Sequence, residues 1–140
     1  MDTPVYTASV TSFGDGRNGH ATSTDGLIDI DLATPAELGG AGGATNPEQL
    51  FAAGYSACFH SALKGAGRTL GIPVQDSAVT ADVALGKDED SFAISVALHI
   101  ELTGISEEDA NRVVEVAHRN CPYSKATRGN IEVTLEVDVA

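Results

Sequence analysis

The sequence predicts an α+β fold on three observations. Segments with the two-residue alternation of half-buried strands recur at both ends of the chain. Two helical segments with capping signatures interrupt them. Turn signals of the kind that close antiparallel hairpins join the strand segments. Taken in order the elements run βββ-α-ββ-α-β, with antiparallel sheets expected.

Tyr6, Ala8 and Val10 alternate with Thr7, Ser9 and Thr11, which predicts a first strand with one buried face. Gly14-Asp15-Gly16-Arg17-Asn18-Gly19 follows, with both Asp-Gly and Asn-Gly turn signals. A polar run from His20 to Thr24 leads to a second turn at Asp25-Gly26. Ile28, Ile30 and Leu32 then alternate with Asp29 and Asp31, completing a meander. From Ala33 to Ala44 the chain reads as loop, with Gly39-Gly40 and Gly42-Gly43. No Gly-Lys-Ser/Thr follows, which argues against a phosphate loop.

Asn46 suits an N-cap, Pro47 the first helical position and Gln49 the closure of a capping box. A helix is predicted from Pro47 to about Leu70, stopped by Gly71 and Pro73. It is rich in Ala, Gly and Ser, and each glycine costs roughly 1 kcal/mol of helix propensity. Small side chains on nearly every face let other backbones approach, so a central helix packed on most sides by sheets or a partner helix is expected. Glu48, His60, Lys64 and Arg68 interrupt it and exclude a membrane span.

Val79, Ala81, Val83 and Leu85 alternate before a charged turn, Lys87-Asp88-Glu89-Asp90. Phe92, Ile94, Val96, Leu98, Ile100 and Leu102 alternate after it. Ser106 caps a second helix with Asp109 as its box partner. Its apolar stripe is Ala110, Val113, Val114 and Ala117, and Asn120-Cys121-Pro122 ends it. Ile131, Val133, Leu135 and Val137 mark a last strand.

A chain of 140 residues fits a single domain, 1–140. Its net charge of −12 repels phosphate backbones and anionic lipid, so neither nucleic acid nor membrane is an expected partner. The opening Met1-Asp2-Thr3-Pro4 lacks the basic and apolar regions of a secretory signal, and a cytoplasmic location is expected. Two widely separated cysteines are not the framework of a small secreted domain. In a reducing compartment they are either inert or redox-active.

Cys58, among alanines, reads as a small buried apolar residue or as a reactive thiol. The second reading needs a positive group, because a thiol of pKa ~8.5 is barely ionised at neutral pH. Arg17, in its tight turn, is the candidate; the alternative is a solvated arginine. Glu48 either orients that guanidinium through a bidentate pair or simply favours the first helical turn. Ten helical residues put Glu48 ~15 Å along the axis from Cys58. A second subunit is therefore expected to supply part of the site. Cys121 is either inert or able to attack an oxidised Cys58. Cys58, His60, His118 and Cys121 make a nominal zinc set, but i and i+2 on a helix point ~200° apart, so no metal is expected.

The run Thr45-Asn46-Pro47-Glu48-Gln49-Leu50-Phe51-Ala52-Ala53-Gly54-Tyr55-Ser56-Ala57-Cys58-Phe59 resembles the first-cysteine signature of the organic hydroperoxide resistance (Ohr) branch of the Ohr/OsmC superfamily. Asn120-Cys121-Pro122-Tyr123-Ser124-Lys125-Ala126-Thr127-Arg128-Gly129-Asn130 resembles its second-cysteine signature. The Gly16-Arg17-Asn18-Gly19 loop and the Ser23-Thr24-Asp25-Gly26 turn also fit.

The resemblance implies a thiol-dependent peroxidase that reduces organic and fatty-acid hydroperoxides to alcohols. Cys58 is then the peroxidatic cysteine and Cys121 the resolving one. Arg17 and Glu48 stand where the family activates the thiolate and binds the peroxide. The implied fold is an intertwined homodimer with antiparallel sheets wrapped around central helices. No cofactor is bound, and the external reductant is a dihydrolipoyl dithiol, as dihydrolipoamide or a lipoylated protein. Phe51, Phe59 and Tyr123 either line an apolar substrate pocket or pack the core. The Gly39–Gly43 stretch is a candidate for movement with Arg17. An OsmC-type peroxidase of broader preference and a non-catalytic thiol redox sensor are the competing readings.

Overall fold

The elements follow the anticipated order with one addition. They are β1 (Val10–Phe13), β2 (His20–Ser23), β3 (Asp29–Asp31), α1 (Pro47–Leu70), β4 (Asp76–Lys87), β5 (Phe92–Thr103), α2 (Glu107–Asn120), α3 (Pro122–Thr127) and β6 (Val133–Val139). The computed structural model describes all 140 residues, Met1–Ala140. The chain divides into two compact units, Met1–Leu50 and Phe51–Ala140. No helix is long and apolar enough to cross a membrane.

In the first unit, β1-β2-β3 form the anticipated antiparallel meander. Its first strand is displaced from the predicted one. Val10 pairs with Ser23 and Phe13 with His20, so β1 takes up only the end of the alternating Tyr6–Thr11 run and continues to Phe13. Pairing grows outward from the turn that closes the hairpin, and that turn is the 3-10 segment Gly16–Asn18. The expected buried face of this strand is also absent. Tyr6, Val10 and Phe13 are all exposed, and only Ala21 and Leu32 are buried in this unit.

In the second unit, β4 and β5 form a long antiparallel hairpin from Asp76↔Thr103 to Lys87↔Phe92. β6 corrects the expectation of antiparallel sheets, because it runs parallel to β5, from Val96↔Val133 to Leu102↔Val139. The intervening helices carry the chain back to the starting end of β5, and such a crossover delivers a parallel strand. The core joins the inward face of β5 to the Ala110, Val113, Val114 and Ala117 stripe of α2 and to Tyr55, Phe59 and Leu63 of α1.

α1 has its predicted limits, and Gly71 leaves it with φ +68°. Asn46 Oδ1 accepts from the Gln49 N–H at 2.9 Å, as an N-cap should. The box closes differently, because Gln49 Oε1 accepts from the Thr45 hydroxyl at 2.8 Å. The helix is not packed on most sides within this chain. Tyr55, Phe59, Leu63, Ala66 and Gly67 are buried, a single stripe at three- and four-residue spacing. Ser106 caps α2 as predicted, accepting from the Asp109 N–H at 3.1 Å. Pro122, read as a terminator, opens the short helix α3 with Cys121 as N-cap.

Candidate active site

Arg17 owes its place to a closely tied turn. The Asn18 N–H bonds to Asp15 O and the Gly19 N–H to Gly16 O, each at 3.0 Å. Asn18 Oδ1 accepts from the Thr34 N–H at 2.9 Å, and Gly19 O accepts from the Leu32 N–H at 2.9 Å. A Cβ on Gly19 would meet Asp15 N at 2.8 Å and lie closer still to Phe13 O, so no larger residue fits there. The Ala33 N–H bonds to Thr45 O at 2.9 Å, which ties this loop to the segment leading into α1.

The predicted pairing of Arg17 with Glu48 is present. Nη1 donates to Oε2 at 2.9 Å and Nη2 to Oε1 at 2.7 Å, a bidentate fork. Both residues belong to one chain and one unit. The hydrogen bonds from Arg17 hold the Glu48 carboxyl below the usual carboxylate range and raise the guanidinium in turn.

The two cysteines meet in the second unit. Cys58 Sγ and Cys121 Sγ are 3.6 Å apart and not bonded. A disulfide is ~2.05 Å long, so this is near-contact between two free thiols. Cys121 is fully buried, whereas Cys58 is partly exposed. Burial raises the Cys58 thiol above its ordinary pKa and the neighbouring Cys121 adds to the rise; the main-chain N–H of Tyr123 opposes it. The groups around this sulfur in the second unit therefore disfavour the thiolate, opposite to what an activated cysteine requires.

Cys58 opens onto a hollow of about 490 Å³, lined also by Ser61, Ala62, Gly65, Asn120 and Pro122. Phe51 and Tyr123 stand edge to face with ring centres 6.0 Å apart, and Tyr55 packs on both. Phe59 has no exposed surface and belongs to the core cluster. The nominal zinc set does not assemble. His60 Nε2 pairs with Ser77 Oγ at 2.8 Å and His118 Nδ1 with Ser124 Oγ at 2.9 Å. No group of three or more His, Cys, Asp or Glu side chains is placed to hold a metal ion.

The profile of the family described as OsmC-like protein matches residues 40–136. The organic hydroperoxide resistance protein of Xanthomonas axonopodis pv. citri is 49% identical over 134 residues, covering 94% of this chain and 93% of that one. The chain belongs to the OsmC-like family, in its organic hydroperoxide resistance branch. OhrB of Bacillus subtilis is 48% identical over 136 residues, covering 95% of this chain and 98% of that protein. A solved structure of an organic hydroperoxide resistance protein from Legionella pneumophila superposes with a TM-score of 0.93. It is 49% identical, over 98% of this chain and 100% of that one. The fold is thus the α+β arrangement of two small sheets and helices that this family shares.

Sequence reasoning did not single out the groups packed around the cysteines. Tyr55 lies three residues before Cys58, and Ser124 three after Cys121. Those one-turn spacings are the only signal the sequence carries for them.

Proposed function

We propose that this protein is a homodimeric thiol peroxidase that reduces organic and fatty-acid hydroperoxides to alcohols, working in the cytoplasm. The observation that carries the reading is the 3.6 Å approach of a partly exposed thiol, Cys58, to a fully buried one, Cys121. Membership of the Ohr branch, whose members are named for resistance to organic hydroperoxides, supports the substrate class.

The Cys58 thiolate attacks the distal oxygen of ROOH. The O–O bond breaks, and the departing alkoxide takes a proton to become the alcohol ROH. Cys58 is left as a sulfenic acid. The Cys121 thiol attacks that sulfur, water leaves, and a Cys58–Cys121 disulfide forms. A dihydrolipoyl dithiol returns both sulfurs to thiols by two exchanges and is itself oxidised to the cyclic disulfide. Because burial disfavours the Cys58 thiolate, a cation has to offset that cost. Arg17 has this role in our reading, and Glu48 orients its guanidinium; the bidentate fork supports the second half. Phe51 and Tyr123, both with apolar ring faces, are the candidates for favouring greasy peroxides. The exposed Tyr6, Val10, Phe13 and Ile28 supply apolar surface for a second subunit.

The test is hydroperoxide consumption with a lipoyl reductant. Steady turnover is expected for the parent protein. Cys58→Ser should abolish consumption, and Cys121→Ser should permit one oxidation that then stalls. A single stoichiometric oxidation in the parent would replace this reading with a redox sensor. Equal turnover with unrelated peroxides and reductants would replace it with a broader OsmC-type peroxidase.

A further inference from the structure

One helical turn from the cysteine pair lies a chain of hydroxyls almost wholly shielded from water. Tyr55 OH is 2.8 Å from Ser124 Oγ and 3.1 Å from Thr127 Oγ1. Ser124 Oγ also meets His118 Nδ1 at 2.9 Å. Tyr55 and Ser124 are fully buried and Thr127 is 4% exposed. An unpaired hydroxyl in such a place costs roughly 1–3 kcal/mol, so these groups hold one another in position. A phenylalanine at position 55 would fill the same core without any polar demand.

The geometry assigns this network a role in the disulfide. Tyr55 stands one turn before Cys58 on α1, and Ser124 one turn after Cys121 on α3, so the two pairs are successive rungs between the same helices. One rung is a hydrogen bond at 2.8 Å and the other is the sulfur pair at 3.6 Å. The main chain of Cys121 is tied on both sides, its N–H to Ala117 O at 2.8 Å and its carbonyl to the Lys125 N–H at 2.9 Å. What remains adjustable is the approach of α3 to α1, which the bonds from Tyr55 to Ser124 and Thr127 bridge. We propose that Tyr55 and Ser124 are positioning residues that raise the effective concentration of Cys121 at Cys58 and so favour their disulfide. This deepens the proposed function and rests on its pairing of the two cysteines.

The test titrates the Cys58–Cys121 couple against a glutathione redox buffer, with thiols counted by alkylation and mass. It needs no hydroperoxide. Tyr55→Phe and Ser124→Ala should each lower the oxidation equilibrium constant about tenfold, a shift of about 30 mV for a two-electron couple. The Tyr55–Ser124 bond is lost in all three variants, so the double variant should fall by less than the sum of the two single ones. Ser56→Ala, on the same helix and bonded only to Ala53 O, is the control. Urea melts of reduced and oxidised forms supply the second readout. A positioning role lowers the stability of the oxidised form more than that of the reduced form. Equal losses in both forms, with equilibrium constants within twofold of the parent, would mean simple bracing and overturn the proposal. A parent protein that forms no Cys58–Cys121 disulfide would instead overturn the pairing on which both readings stand.

Discussion

Arg17 is the residue whose removal speaks most directly to the proposed chemistry. Arg17→Ala should leave the far-ultraviolet circular dichroism unchanged yet slow hydroperoxide reduction about 10²-fold, the usual scale for losing one charge-stabilising contact. A variant that keeps the parent's rate would remove Arg17 from the mechanism. The fork itself contributes little to folding, because the Arg17 side chain is 41% exposed and water screens the pair. Its pH dependence has a definite sign. Glu48 is lowered in the folded state, so its contribution is present above the ordinary carboxylate range and lost as pH falls through the lowered value. Glu48→Gln should therefore lower stability slightly at neutral pH and flatten the acid limb of a urea-melt stability–pH curve by the same small amount. Cys58, Cys121, Arg17 and Glu48 were legible as candidates because each sits in a recognisable local signature. Tyr55 and Ser124 were not, since nothing local tells a hydroxyl which distant partner it will meet.

The helices and strands show where local signals suffice. Capping and periodicity placed the ends of α1 and the buried stripe of α2, because both are set within a turn or two of chain. The same signals hid α3, since Pro122 ends one helix and begins another. They also missed the parallel course of β6, whose direction depends on how the preceding helices pack. The small residues of α1 likewise have different roles that composition cannot separate. A Cβ on Gly67 would lie 2.7 Å from Ile72 O and 2.9 Å from Val74 Cγ2, where the chain turns back beside the helix. Gly67→Ala should destabilise the protein by about 1–3 kcal/mol in urea melts despite a propensity gain of about 1 kcal/mol. At Gly54 the obstruction is the hydroxyl end of Tyr123, at 2.6 Å. That obstacle is a 37% exposed side chain, whereas at Gly67 it includes backbone, so Gly54→Ala should cost less than Gly67→Ala.

At the scale of the whole molecule, charge and exposed apolar surface set the behaviour. Two histidines each lie between two carboxylates, His20 between Asp29 and Asp31, and His99 between Asp82 and Glu136. These partners raise both imidazoles, foremost by accepting hydrogen bonds, Asp31 from His20 and Asp82 from His99. A raised histidine adds stability that is complete below its unfolded value, ~6.5, and disappears as pH climbs through the folded value. Thermal midpoints should therefore fall as pH rises above about 6.5 and through the raised histidine values, and His99→Gln should shrink that fall. The net charge of −12 adds self-repulsion over the same range, and comparison with the variant separates the two. For the proposed homodimer, light scattering should give twice the 14.4 kDa chain mass. The kinds and limits of most elements, the family and the candidate residues for the proposed chemistry were already present in the sequence. Those properties come from local free energies and contiguous motifs. It took the packed chain to bring the two sulfurs within 3.6 Å, Arg17 onto Glu48 and the Tyr55 hydroxyl onto Ser124. Contacts between distant segments exist only once the chain packs as a cooperative whole.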